Sequence, residues 1–185
     1  MRSETNAEKI KRLMELLGKR AKGPGRIYLT GGATAVLLGW RDTTIDVDLK
    51  CDPEPPGVFD VLREAKELLD INIEMAAPDD FVPALPGWRE RSRFIASSGL
   101  IEFRHYDFYG QALAKIERGH KQDIADVQSM LARQLIKPDT LLDLYRQIQA
   151  SLTRYPAIDP DALSARLRDA LRRPRQSTPK GVANG

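Results

Sequence analysis

The octapeptide Thr43-Thr44-Ile45-Asp46-Val47-Asp48-Leu49-Lys50, "TTIDVDLK", alternates apolar and polar side chains. A period of two predicts an extended strand, with Ile45, Val47 and Leu49 on one face and Thr44, Asp46, Asp48 and Lys50 on the other. Two carboxylates then stand side by side. Like charges that close repel, and each raises the other's pKa unless something positive lies between them. The stretch therefore calls for a cation, either a flanking side chain (Arg41 and Lys50 are placed for it) or a metal ion.

The segments around this strand fit a small sheet. Residues 4–20 show helical spacing, with Ile10, Leu13, Met14, Leu16 and Leu17 on one side, and "KGPG" at 22–25 ends the helix. "RIYLT" predicts a strand, Gly31-Gly32 a turn, and "ATAVLLGW" a short apolar helix closing near Gly39. After strand 43–50 come a Pro-rich connection, a helix over 58–69 and an alternating strand, "DINIEM". A Pro-rich loop then leads to a hairpin around Ser97-Ser98-Gly99. From Tyr109 onward the spacing is helical, interrupted near Gly119, with further helices over 139–152 and 160–172. The expected architecture is α/β: a core over 1–108 comprising the N-terminal helix and a small mixed sheet flanked by helices, a helical region over 109–172 packing on it, and a disordered tail over 173–185.

Composition limits the function classes. Of 185 residues, 42% are hydrophobic and 30% charged, as in a soluble globular protein. No run of eighteen apolar residues occurs and the N-terminus is charged and amphipathic, so the expectation is a cytoplasmic protein with no membrane partner. Cys51 is the only cysteine, too few for an internal disulfide or a cysteine zinc site. The formal charge of +3 resides in Arg172, Arg173, Arg175 and Lys180 of the acid-free C-terminus; without those four the remaining chain sums to −1. A near-neutral folded part argues against a large dedicated RNA surface.

Chemistry is concentrated where the Gly-Gly turn meets the acidic strand. Such a turn lets backbone approach a ligand closely, and the helix after it offers unpaired N–H groups to an anion such as phosphate. Asp46 and Asp48 return to the same place after one short helix. Paired hard oxygens beside phosphates are how proteins hold Mg²⁺, so the two acids are the candidate metal ligands. On the strand "DINIEM", Asp70, Asn72 and Glu74 share a face, and Glu74 is the candidate third carboxylate.

"GGATAVLLGWRDTTIDVDL" resembles the signature of the nucleotidyltransferase superfamily, the fold of DNA polymerase β and kanamycin nucleotidyltransferase. "ALAKIERGHKQDIADV" is similar to a second motif of the AbiEii-like nucleotidyltransferases of type IV toxin–antitoxin systems. The resemblance covers roughly residues 26–135. It implies that Gly31 and Gly32 hold the triphosphate of an NTP and that Asp46 and Asp48 hold Mg²⁺. It further implies that Lys115, Lys121 and Asp123 contact nucleotide, and that Glu74 and Asp126 assist as ligand or base. Asp123 and Asp126, three apart on a helix, are expected to close an acidic rim, and Lys115 is expected to be a surface lysine. The implied acceptor is tRNA, another RNA or a protein side chain, and the implied partner is a cognate antitoxin. Rival readings of the same residues are a non-catalytic nucleotide-binding protein or antitoxin and a metal-dependent phosphohydrolase.

Other conspicuous residues read as structural. His105 and His120 lack metal-ligand spacing to another His or Cys. Trp40 ends an apolar helix and is expected in the core. Trp88, among Arg89, Arg91 and Arg93, has two readings: a base-stacking aromatic among phosphate-binding cations, or a buried side chain pinning a loop.

Overall fold

A computed structural model describes residues 4–172; the expected disordered tail over 173–185 lies outside the described residues. The first elements are a two-residue strand β1 (Thr5–Asn6) and helix α1 (Ala7–Arg20), whose first turn is capped by Asn6 accepting from the Lys9 N–H at 3.0 Å. Ile10, Leu13, Met14 and Leu17 form its buried stripe, the i, i+3, i+4, i+7 spacing of one helix face. Strand β2 (Gly25–Thr30), helix α2 (Gly31–Leu37), strands β3 (Thr43–Thr44) and β4 (Asp46–Cys51), helix α3 (Val58–Leu68) and strand β5 (Asn72–Glu74) follow. Within the Pro-rich loop lie a 3₁₀ turn at Pro78–Asp80 and helix α4 (Trp88–Arg91), followed by the hairpin β6 (Arg93–Ser98) and β7 (Ile101–His105). Helices α5 (Phe108–Arg118), α6 (Lys121–Ala132), α7 (Pro138–Ile148) and α8 (Pro160–Leu171) complete the fold.

The protein is α/β, with a mixed five-stranded sheet in the order β5-β4-β2-β7-β6. Central β2 runs antiparallel to β4 and parallel to β7. Its residues alternate between two interiors. Ile27 and Leu29 join the core made with α1, α3, Val47, Leu49 and Phe103. Tyr28 faces the other way, into a cluster with Trp88 and Tyr106. Trp88 stacks on Tyr106 with centroids 4.6 Å apart, so of its two readings burial and pinning of the loop describe its place. A separate apolar cluster unites α5 to α8 around Leu113, Ile116, Val127, Leu141 and Leu163.

Two local expectations are corrected. The strand over 43–50 is broken at Ile45, which is 70% exposed and does not share the buried face of Val47 and Leu49. Thr43 and Thr44 pair instead with β1, and the Thr44 hydroxyl donates to the Asp46 carbonyl at 3.0 Å, turning the chain between the two short strands. Helix α2 begins at Gly31, not after the two glycines, because neither glycine presents a side chain to the strand it packs against. Among the described residues no helix is long and apolar enough to cross a membrane.

Candidate active site

Strand pairing lays out the acidic face. Thr30 of β2 and Glu74 of β5 are the register partners of Asp48 on β4, while Asn72 is the partner of Asp46. Thr30, Asp48 and Glu74 therefore form a row across three strands. The Asn72 amide donates to Asp46 Oδ1 and, at 3.4 Å, to Glu74 Oε1. Burial, reinforced by the charges of Glu74 and Asp46, pushes the Asp48 carboxyl up from 3.8 to about 6. Arg118 and Lys115 pull the other way without prevailing.

Neither flanking cation neutralises this group. Lys50 Nζ is drawn to Asp79 Oδ2 of the 3₁₀ turn at 2.8 Å, and Arg41 turns toward α6, where it binds Asp126. Among the described residues no Lys or Arg forms an ion pair with Asp46, Asp48 or Glu74.

The Gly-Gly turn is fitted to the acids by close approach. Gly31 has φ +58°, and a Cβ there would stand 2.6 Å from Asp48 Oδ2. A Cβ on Gly32 would stand 1.9 Å from the Thr44 hydroxyl oxygen. The Gly31 N–H donates to Gln111 Oε1 at 3.0 Å, and the Gln111 amide donates to the Tyr106 carbonyl at 2.7 Å. His105 lies behind this turn, its Nδ1 3.1 Å from the Thr34 hydroxyl. Burial, with Arg93, lowers it to about 4, so it is a neutral structural imidazole. His120 is the exposed N-cap residue of α6.

Helix α5 supplies the opposite wall. Gln111, Lys115 and Arg118 lie at i, i+4 and i+7, on one helix face, and all three line the cleft with Thr30, Gly31, Asp48 and Glu74. Lys115 is not the expected surface lysine, being only 3% exposed. Its ammonium donates to Asp126 Oδ2 at 2.7 Å and to Asp123 Oδ1 at 3.2 Å. Arg118 also donates to Asp123 Oδ1, at 2.7 Å. Asp126 further accepts from Trp40 Nε1 at 3.2 Å and from Arg41 Nε at 3.0 Å. Burial alone would raise the Asp126 carboxyl, but the charge and hydrogen bond of Lys115, with Arg41, hold it below its ordinary value.

Asp123 and Asp126 consequently do not form an acidic rim. They are buried beneath Lys115, and Asp126 is sealed from the cleft as ligand or base because every neighbour it has there is a donor. Lys121 is exposed at the start of α6 and is not part of the cleft lining.

Residues 7–164 match the family described as nucleotidyltransferase of unknown function (DUF6036). The chain belongs to that family. The match runs from the first residue of α1 into α8, so it takes in both the sheet and the helical part. No curated protein and no solved structure matches the chain.

Nucleotidyltransferases generally use divalent metal ions, and the donor set here fits one. Among the described residues no three His, Cys, Asp or Glu side chains converge into a cage. Mg²⁺, however, characteristically takes one or two carboxylates and fills its shell with water and substrate phosphate. Asp46 and Asp48, with Glu74 beside them, supply hard oxygens whose mutual repulsion the protein leaves largely uncompensated. Gln111 and Arg118 were not among the residues expected at the site, and Asn72 was expected only as a neighbour of Glu74 on its strand face. The first two were available from helical spacing, since positions four before and three after Lys115 share its face. Phe81 also lines the cleft, and nothing in the sequence pointed to it because it follows a 3₁₀ turn of irregular backbone.

Proposed function

We propose that this chain is a divalent-metal-dependent nucleotidyltransferase that moves a nucleotidyl group from an NTP to an acceptor. The observation that carries the reading is the Asp48 carboxylate, packed against Gly31 and next to Asp46 and Glu74, without an ion-pair partner among the described residues. Asp46 and Asp48 would hold the ion, which, when bound, supplies charge for the attacking and leaving oxygens.

The chain's own residues then do the following. Gly31, its N–H taken by Gln111, leaves space beside Asp48 for the phosphates, and Gln111 holds that turn in place. Lys115 and Arg118 meet the negative charge of the triphosphate, with Asp123 and Asp126 fixing the place of the lysine ammonium. As the acceptor oxygen bonds to the α-phosphorus, the bond from that phosphorus to the bridging oxygen breaks and pyrophosphate departs. The acceptor's proton passes to Glu74, the exposed carboxylate of the row, since Asp123 and Asp126 are committed to cations.

The finer readings, an RNA, tRNA or protein acceptor and a toxin role beside a cognate antitoxin, rest on the resemblance of the second motif to AbiEii-like enzymes. One observation favours a non-catalytic nucleotide-binding relative: the Asn72 amide already occupies Asp46 Oδ1. Incubation with Mg²⁺, an α-³²P-labelled NTP and an acceptor pool from a cell extract separates the two. Label transfer that disappears in Asp48→Asn supports the enzyme. No transfer from any of the four NTPs, with nucleotide binding intact, leaves the binding protein.

A further inference from the structure

The cleft is lined by residues of two chemical kinds. Asp48, Glu74, Lys115 and Arg118 are charged; Ala76, Ala77, Pro78, Phe81 and Ala114 are apolar. Phe81 is 44% exposed although the next residue, Val82, is buried in the helical core. Its backbone is fixed. The N–H groups of Phe81 and Val82 both donate to the Pro78 carbonyl, at 3.1 and 3.0 Å, closing the 3₁₀ turn. A phenyl ring held on ordered backbone with a free surface toward a charged cleft is suited to stacking on a planar ligand.

Apart from the Ala76 backbone, the apolar lining beside the ring offers little to read a base edge. Its side chains carry no donor or acceptor. The Ala77 N–H is taken by Asp80 Oδ2 at 2.8 Å, the Ala77 carbonyl accepts from Asp80 at 3.0 Å, and Pro78 has no N–H. Strong discrimination between bases needs hydrogen-bonding groups that would be left unpaired by the wrong one. Stacking instead tolerates every base, because each has a π face.

Building on the nucleotidyl-transfer reading, we propose that Phe81 is the platform for the nucleobase, and that the site selects by stacking area. The substrate class is then the nucleoside triphosphates as a group, with purines held more tightly than pyrimidines.

The test is titration calorimetry with Mg²⁺ and the non-hydrolysable α,β-methylene analogues of ATP, GTP, CTP and UTP, beside inorganic tripolyphosphate. Phe81→Ala is expected to weaken all four analogues about tenfold, the scale of one lost stacking contact, and to leave tripolyphosphate unchanged. Phe81→Trp is expected to restore the affinity, with added indole fluorescence that nucleotides quench and tripolyphosphate does not. Unchanged analogue binding by Phe81→Ala overturns the proposal, as does a preference of more than about a hundredfold for one base, which demands hydrogen-bond readout. If wild type binds tripolyphosphate but no nucleotide more tightly, the stacking platform alone falls. If it binds neither, the nucleotidyl-transfer reading falls and this inference with it.

Discussion

Two acidic pairs lie a short distance apart along one cleft wall and beneath the other, and the protein treats them in opposite ways. Asp123 and Asp126 on α6 are buried against Lys115, Arg118, Arg41 and Trp40, so their charge is answered from several sides. Asp46 and Asp48 on β4 face Glu74 and an amide, and their charge is left standing. The consequence shows in the carboxyls: Asp126 is held below its ordinary value and Asp48 is pushed up to about 6. Spacing in the sequence, Asp-x-Asp or Asp-x-x-Asp, locates acids without saying whether they are neutralised. The uncompensated pair is the one with capacity left for a ligand.

The sharpest way to break this comparison is to remove a compensated acid. Asp126→Ala leaves the Lys115 ammonium buried with one counter-ion, and is expected to cost about 3 kcal/mol, the lower part of the range for breaking a buried pair. Arg41, partly exposed, can turn to water and moderates the loss. Urea denaturation measures it. A cost below about 1 kcal/mol would place Asp126 with surface pairs and dissolve the contrast.

Removing an uncompensated acid should do the reverse to stability while destroying function. Asp48→Asn is expected to raise metal-free stability at pH 7 by about 1–3 kcal/mol, the scale of the pKa displacement it abolishes. Transfer activity should fall about a hundredfold or more, as even groups that only support metal ligands are worth that much. The pH dependence has opposite signs at the two sites. With its folded value near 6 against 3.8 unfolded, Asp48 binds a proton in the folded chain first, so its own contribution to metal-free stability rises as pH falls from 7 toward 4, while buried His105, lowered from 6.5 to about 4, loses stability over the same window. Asp126, depressed in the folded chain, contributes stability above 3.8 that is lost as pH falls through its folded value. Because His105 contributes equally to wild type and variant, the difference between them isolates Asp48: in a urea series across pH, wild type should gain relative to Asp48→Asn between pH 7 and 4, and a more acid loss should be reduced in Asp126→Ala. Parallel pH profiles for wild type and Asp48→Asn would contradict the assignment to Asp48.

The uncompensated site was largely legible in the sequence, and the compensated one was not. Alternation gave Val47 and Leu49 to the core and put Asp46 and Asp48 on the opposite face, where Asp48 lines the cleft, because period-two spacing is a property of the strand itself. Ile45 escaped that pattern because Thr43 and Thr44 pair with β1, Thr44 with Thr5 and Thr43 with Asn6, a contact that no local window contains. Lys115 looked like a solvated helix lysine because its partners, Asp123 and Asp126, come from the next helix. Helical periodicity foresees a shared face, yet what packs against that face is a tertiary fact.

Gly31 links the two halves of the comparison, and its substitution has a smaller expected effect. Gly31→Ala places a side chain at φ +58°, at a cost of about 1–2 kcal/mol. Its Cβ would also meet Asp48 Oδ2, so the carboxylate must move. Transfer activity should drop more than stability alone explains, about tenfold at a temperature where the variant remains folded. Equal activity in folded Gly31→Ala would show that the turn and the acid do not need their close packing.

The smallest expected effect concerns Lys121, which the resemblance pairs with Asp123 as a nucleotide contact. It is exposed at the start of α6, while the neighbouring cleft wall is supplied by Lys115 and Arg118 from α5. A cation at a helix N-terminus is slightly unfavourable toward the helix dipole, so Lys121→Ala should alter stability by no more than about 0.5 kcal/mol, in the stabilising direction. Binding of an NTP analogue should change less than about twofold, because Lys121 is exposed and outside the cleft lining, where salt screens its charge. Calorimetry at low and physiological ionic strength separates the outcomes. A small effect that vanishes with salt marks Lys121 as a distant charge, whereas a tenfold loss at physiological salt would bring α6 to the nucleotide and extend the binding site beyond the α5 wall.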